Sequence, residues 1–284
     1  MKSPVRSGVV FALLGALLWP HQAVAQTVRY VDSIRTCDDL DPCYATIMDA
    51  VDAAQPSDTI EVFPGVYHEN VVIQGSLVGV RKDNIVLRAH DPALKPVIAA
   101  PSGGAAVFIN VAAQVQVLNF VLEGGVGIGS PTSQGFVVEG NRIRGGLGIQ
   151  AAAGGTVSDN TFVGGGVVGD LQGAIIEGNT FVDGSILIFE GSAIPGGNTI
   201  RHNVLRRGGI RVGAPSSDNL IDSNFVSGSS GDGISVGVPL HANHNVIRNN
   251  TSIENAGCDI NDTLGGGNTW RNNRFGTKCG DATD

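Results

Sequence analysis

The chain has 284 residues and a formal net charge of −8, with 42% hydrophobic and 15% charged residues. This acidic balance argues against nucleic acid or an anionic membrane as partner. The 41 glycines do not signal disorder, because regularly spaced Val, Ile and Phe run between them.

Lys2 and Arg6 precede an apolar run from Val9 to Leu18, and Ala23-Val24-Ala25 follows it. A basic start, a short apolar core and a small-x-small ending predict a Sec-type signal peptide cleaved after Ala25. A membrane anchor is disfavoured, since a span needs roughly 20 apolar residues. Cleavage would remove two bases and no acid, taking the net charge to about −10. A secreted or periplasmic protein is expected, with residues 26–284 as one domain.

The next element is a short helix. Asp41 is placed to cap it, Pro42 suits its first position, and Ile47, Val51 and Ala54 form one apolar face with Asp49 and Asp52 turned to water. In a cap region at 26–55 this helix would cover an otherwise open end of whatever follows. Asp58-Thr59-Ile60-Glu61-Val62 then reads as a strand, and Pro64-Gly65-Val66-Tyr67-His68-Glu69 as a turn into a second one.

From residue 138 onward the chain repeats itself. A branched or aromatic apolar residue stands three places before Asn141, Asn160, Asn179, Asn203, Asn224, Asn250 and Asn273, and these asparagines lie 19, 19, 24, 21, 26 and 23 residues apart. Such a period marks a solenoid. Each repeat holds three short strands, the third of the kind Leu147-Gly148-Ile149 or Ile210-Arg211-Val212, so the coil is triangular. The asparagines are expected at the turns in the left-handed conformation, with their amides stacked from coil to coil and satisfied in the interior. Gly124-Gly125-Val126-Gly127 lacks the aspartates of calcium-binding nonapeptide repeats. The expected architecture is all-β, a right-handed parallel β-helix of about nine or ten coils over 56–276 with an N-terminal capping helix.

That stack constrains the four cysteines. In an oxidising compartment they should form two disulfides. Cys37 and Cys43 precede the coils, whereas Cys258 and Cys279 lie in the closed end at 258–284. Coils stacked at ~4.8 Å keep those ends far more than ~7 Å apart, so the pairs are Cys37 with Cys43 and Cys258 with Cys279, and one tetrahedral zinc site is excluded.

The helix, the Asp-Thr-Ile-x-Val strand, the Pro-Gly-x-Tyr-x-Glu motif and the Asn-turn repeats together resemble the pectin lyase-like superfamily of parallel β-helix proteins. The resemblance covers most of residues 44–276 and implies an extracellular polysaccharide as partner, which the protein would bind or modify as a lyase, hydrolase or epimerase. Gly65-Val66-Tyr67-His68-Glu69 matches the first motif of the superfamily's methylesterases, but the segments bringing their catalytic carboxylates have no counterpart here. The acidic cluster of pectate lyases is missing too, and Gly231-Asp232-Gly233 keeps one Asp where polygalacturonases have an Asp-Asp pair.

Two features remain as candidate surfaces. Aligning coils from their asparagines puts Arg211, Asp232 and Asp259 on three successive coils, with His202, His241 and His244 on nearby turns. A cation, a carboxylate and an acid could neutralise a uronate and move a proton, so these are the weak catalytic candidates. Beside them, Gly148 to Leu187 forms a smooth apolar stretch that could seat a sugar face or another protein. Glu139, Ser158, Glu177, Arg201, Asp222, Arg248 and Arg271 form a further column two places before the asparagines, expected to be an exposed ion ladder holding register. No cofactor or metal is expected, and the chain should be monomeric. The competing reading is a non-catalytic adhesive solenoid with a protein partner.

Overall fold

Three parallel sheets run the length of the molecule and meet at three rows of corners. The structure, a computed structural model, describes residues 26–75, 81–101, 103–189, 196–213, 215–238, 243–263 and 267–282. The expected signal peptide lies outside these residues. The first sheet has 12 strands and the other two have 10 each, a stack nine to ten coils deep. A representative coil passes through Ile175–Glu177 in the first sheet, Thr180–Val182 in the second and Ile186–Ile188 in the third.

Strands of three residues suffice because each needs only one inward side chain. Val157, Ile176, Ile200 and Ile221 fill the first sheet's inner face, each fully buried and in register with the next. Phe162 and Phe181 do the same for the second sheet, where their rings stack 4.7 Å apart at 4°. Identical register on successive coils is what lets like side chains stack.

The corners have one device in common, and it corrects the expected place of the left-handed residue. Immediately before the ladder asparagines stand Gly140, Asp159, Gly178, His202, Ser223, Asn249 and Asn272, with φ of 67°, 53°, 66°, 55°, 56°, 56° and 55°. The ladder asparagine itself is therefore the residue after the left-handed one, already turned inward. Its side-chain Oδ1 faces the previous coil, where it accepts from that coil's asparagine.

The ladder is continuous. Asn160 donates from both its backbone N and Nδ2 to Asn179 Oδ1 (3.0 and 3.1 Å), Asn179 does so to Asn203 (3.0 and 3.0 Å), and the pattern runs on to Asn273. Buried amides are thereby satisfied by one another. A second ladder, which the sequence reading did not anticipate, occupies another corner: Asn198, Asn219, Asn245 and Asn268 bond in the same way. It ends on buried Asp262, which accepts from Asn268 Nδ2 and from Trp270 Nε1 (3.0 Å).

At the N-terminal end the helix is Ile47–Ala53, capped by Thr46, whose side chain accepts from Asp49 N at 3.1 Å. This corrects the expected start at Asp41. Cys43–Tyr44 is instead a strand paired with Tyr30 and Val31, and the Pro42 carbonyl accepts from Tyr30 N. Ile47, Val51 and Ala54 are buried as expected. The Gly-x-Tyr-x-Glu motif explains the docking. Glu69 accepts from Ile47 N and Met48 N (2.9 Å each), where the first turn leaves amides bare, and buried Tyr67 reaches the carbonyls of Phe63 (3.0 Å) and Val31 (3.2 Å). Burial, then the nearby Asp32 charge, pushes the Tyr67 hydroxyl up to about 12. Cys37–Cys43 and Cys258–Cys279 are the disulfides, each with a Cα–Cα distance of 5.9 Å.

Candidate functional site

Alternation along the third sheet sends every second residue outward, and register stacks those residues into one outward column. Phe108, Gly127, Gly148 and Val168 come first; Leu187, Arg211, Ser235 and Asn261 continue it. The column changes character between Leu187 and Arg211. Before that step it is apolar, and after it the side chains are polar.

A groove of about 510 Å³ lies over the polar half, lined by Leu187, Arg211, Ser229, Asp232, Ser235 and Asn261 among others. Arg211 is exposed, and its side chain makes no ion pair or hydrogen bond among the described residues. Asp232 edges the same groove with both oxygens engaged: Oδ1 accepts from Cys258 N and Oδ2 from Asn261 Nδ2, each at 2.8 Å.

Asp259 is not in this groove. It is 3% exposed. Its Oδ1 accepts from Asn255 N (3.1 Å) and Nδ2 (2.8 Å), and its Oδ2 from Gly276 N (2.9 Å) and Thr277 N (2.8 Å). Burial pushes its carboxyl up, but the hydrogen bonds from Thr277, Asn255 and Gly276 outweigh it and hold the pKa below the ordinary value. The expected one-per-coil alignment of Arg211, Asp232 and Asp259 is thus replaced by Arg211, Ser235 and Asn261. Both aspartates lie in the turns ahead of their strands, where bare amides call for an acceptor.

The histidines are also elsewhere. His202 and His244 are exposed corner residues with φ of 55° and 59°, each just before a ladder asparagine, and neither lines the groove. His241 lies outside the described residues. No group of three His, Cys, Asp or Glu among the described residues is placed to hold a metal ion. No helix among them is long and apolar enough to cross a membrane.

The apolar half of the column carries a trough of about 610 Å³, with Phe108, Gly148, Gln150, Val168, Asp170 and Phe189 on its walls. Gly148 to Leu187 is smooth as expected, but the trough also holds two phenylalanines that the repeat pattern does not single out. Phe108 was hidden because Ala105–Asn110 looks like any apolar strand, and Phe189 because it follows its strand instead of lying in it.

The charged column on the first sheet is an ion ladder as read. Register aligns Glu177, Arg201, Asp222 and Arg248, and Arg201–Glu177 (2.6 Å) and Arg248–Asp222 (2.8 Å) close as pairs. It lies on a different face from the groove.

No protein-family model and no curated protein sequence matches the chain. Solved structures do match in fold. The A-module of the Azotobacter vinelandii mannuronan C-5 epimerase AlgE4 aligns over 80% of this chain and 70% of its own, with a TM-score of 0.59 and 14% identity. The DFA-IIIase of Arthrobacter chlorophenolicus A6, solved in complex with GF2, aligns over 87% and 79% (TM-score 0.56, 14% identity). The tailspike protein of E. coli bacteriophage HK620, solved in complex with a pentasaccharide, aligns over 78% of this chain and 50% of its own (TM-score 0.59, 11% identity). The chain therefore has the parallel β-helix fold that these carbohydrate-active proteins share.

Proposed function

We propose that this is a secreted carbohydrate-binding solenoid that holds a polysaccharide along the outer face of its third sheet. The observation that carries the reading is the uninterrupted outward column on which an apolar trough leads into a groove holding the unpaired cation Arg211. Sugars present apolar C–H faces and polar edges together, and a site with both kinds of surface suits them. The fold neighbours, named for a mannuronan epimerase activity or solved with oligosaccharides, make sugar the first ligand class to test.

Binding is favoured over turnover. Proton transfer needs a titratable group free to reach the substrate. Asp259 is enclosed, and Asp232 already accepts from Cys258 and Asn261. An enzymatic reading in which Arg211, Asp232 and Asp259 act as lyase, hydrolase or epimerase residues would require that network to open. The remaining parts of the proposal are a right-handed winding, as parallel crossovers almost always have, a helix serving as end cap, and a monomer exported by residues 1–25.

A panel of polysaccharides, read for both binding and product formation with the mature protein, tests this. Binding should weaken at least several-fold in Arg211→Ala for acidic polymers. If no polysaccharide is bound or altered, the adhesive scaffold with a protein partner takes its place.

A further inference from the structure

The apolar trough has a floor and walls fixed by the fold. A Cβ added at Gly127 or Gly129 would meet the Phe108 ring at 2.6 and 2.4 Å, so that ring lies directly over the glycines. At the other end stands Phe189, 39% exposed, with Val168 38% exposed between them. Phe108 and Leu187 are four coil steps apart in register, about 19 Å at ~4.8 Å per step. Gly148 leaves the floor open, since nothing lies within 4 Å of a Cβ placed there.

Strand alternation puts one donor into this trough, just ahead of an irregularity in the pairing. The pairing of Leu147–Ala153 with Val167–Gln172 shifts register between Ile149 and Ala152. Ala151 is held there at φ 55°. A bulge of this kind ends the regular pairing of the strand at this point. The outward side chain just before the bulge is exposed Gln150, which has no hydrogen-bond partner among the described residues.

We propose that the trough is a subsite for an O-acetylated sugar. The acetyl methyl and the sugar's C–H face would lie on Phe108, Val168 and Phe189, and the Gln150 amide would donate to the acetyl carbonyl. A bare sugar can accept from that amide only through a hydroxyl or ring oxygen, and it brings no methyl group to the Phe108 and Phe189 rings. The proposal rests on the polysaccharide reading, because the trough continues into the Arg211 groove along one column.

The test uses O-acetylated polyuronate oligomers four sugars long, and the same oligomers after mild alkali has removed the acetyl groups. Titration calorimetry with the mature protein should give about tenfold tighter binding of the acetylated form, the scale of a small apolar group meeting its pocket. Gln150→Ala should erase most of that preference, weakening the acetylated form far more than the deacetylated one. Gly148→Trp, which fills open space, should weaken both oligomers with the melting curve preserved. Equal affinity for the two oligomers overturns the acetyl subsite but not the polysaccharide reading. Failure of both to bind overturns both readings for polyuronates. A parent that sediments as a dimer and becomes a monomer in Gly148→Trp would assign the trough to a second copy of the chain and overturn the proposal.

Discussion

A buried amide that serves two neighbours makes its removal costly on both sides. Asn179→Leu would leave the Asn160 backbone N–H and Nδ2 without the acceptor they share, inside a core where an unmade hydrogen bond costs ~1–3 kcal/mol each. A loss of about 2–5 kcal/mol is expected in urea melts, and a curve overlaying the parent would mean that the amides are not load-carrying members of the interior. Asp259 gives a second residue-scale prediction, with the sign set by its lowered folded pKa. A depressed carboxylate contributes stability above its unfolded pKa and loses it as pH falls through the folded value. The parent should thus lose stability on acidification below about pH 4, and Asp259→Asn should be less stable at neutral pH yet flatter towards acid. Parallel slopes for parent and variant in Tm against pH would contradict this. The ladder was legible in the sequence because its asparagines recur, but the left-handed residue before each was not, since Gly, Asp, His, Ser and Asn share that position. The second ladder was equally available, as Asn198, Asn219, Asn245 and Asn268 each stand five places before a member of the first.

For the coil as an element, register decides which residues meet, and sequence spacing gives register only where loops are equal. Arg201 and Glu177 were aligned correctly because they are counted from adjacent ladder asparagines. Arg211 and Asp232 were not, because the turn Gly228–Gly233 ahead of Ile234 is longer than the corresponding one ahead of Ile210. Closing the last coils falls to Cys258–Cys279, whose partners are 21 residues apart. A loop of that size contributes about 3 kcal/mol in the chain-entropy picture. Replacing both cysteines with serine should let a protease remove the chain after residue 258 while leaving the middle coils intact, because solenoid stability is local. Cleavage that instead spreads at once to the middle coils would show that the stack melts as one unit.

At the scale of the whole molecule the two ends of the stack face opposite problems. The helix Ile47–Ala53 lies against the first coil, but among the described residues the last coil offers three strand edges: Thr269–Arg271, Arg274–Phe275 and Lys278–Gly280. Unpaired edges template the addition of another chain, and cations on them are a common defence. Each of these strands carries one exposed cation, Arg271, Arg274 or Lys278, so two copies meeting at this end would bring six positive charges together. This arrangement could not be read from composition, because the chain as a whole is acidic and the three cations gather only once the coil closes. Replacing all three with valine removes the repulsion and raises the strand propensity of the edge. Static light scattering against concentration should then show growing aggregates for the variant at loadings where the parent keeps a constant mass, and the parent should begin to associate when salt shortens the screening length. A triple variant that stays at constant mass across the same range would mean that the edge is blocked by its geometry, and the cations would then be ordinary solvated charges.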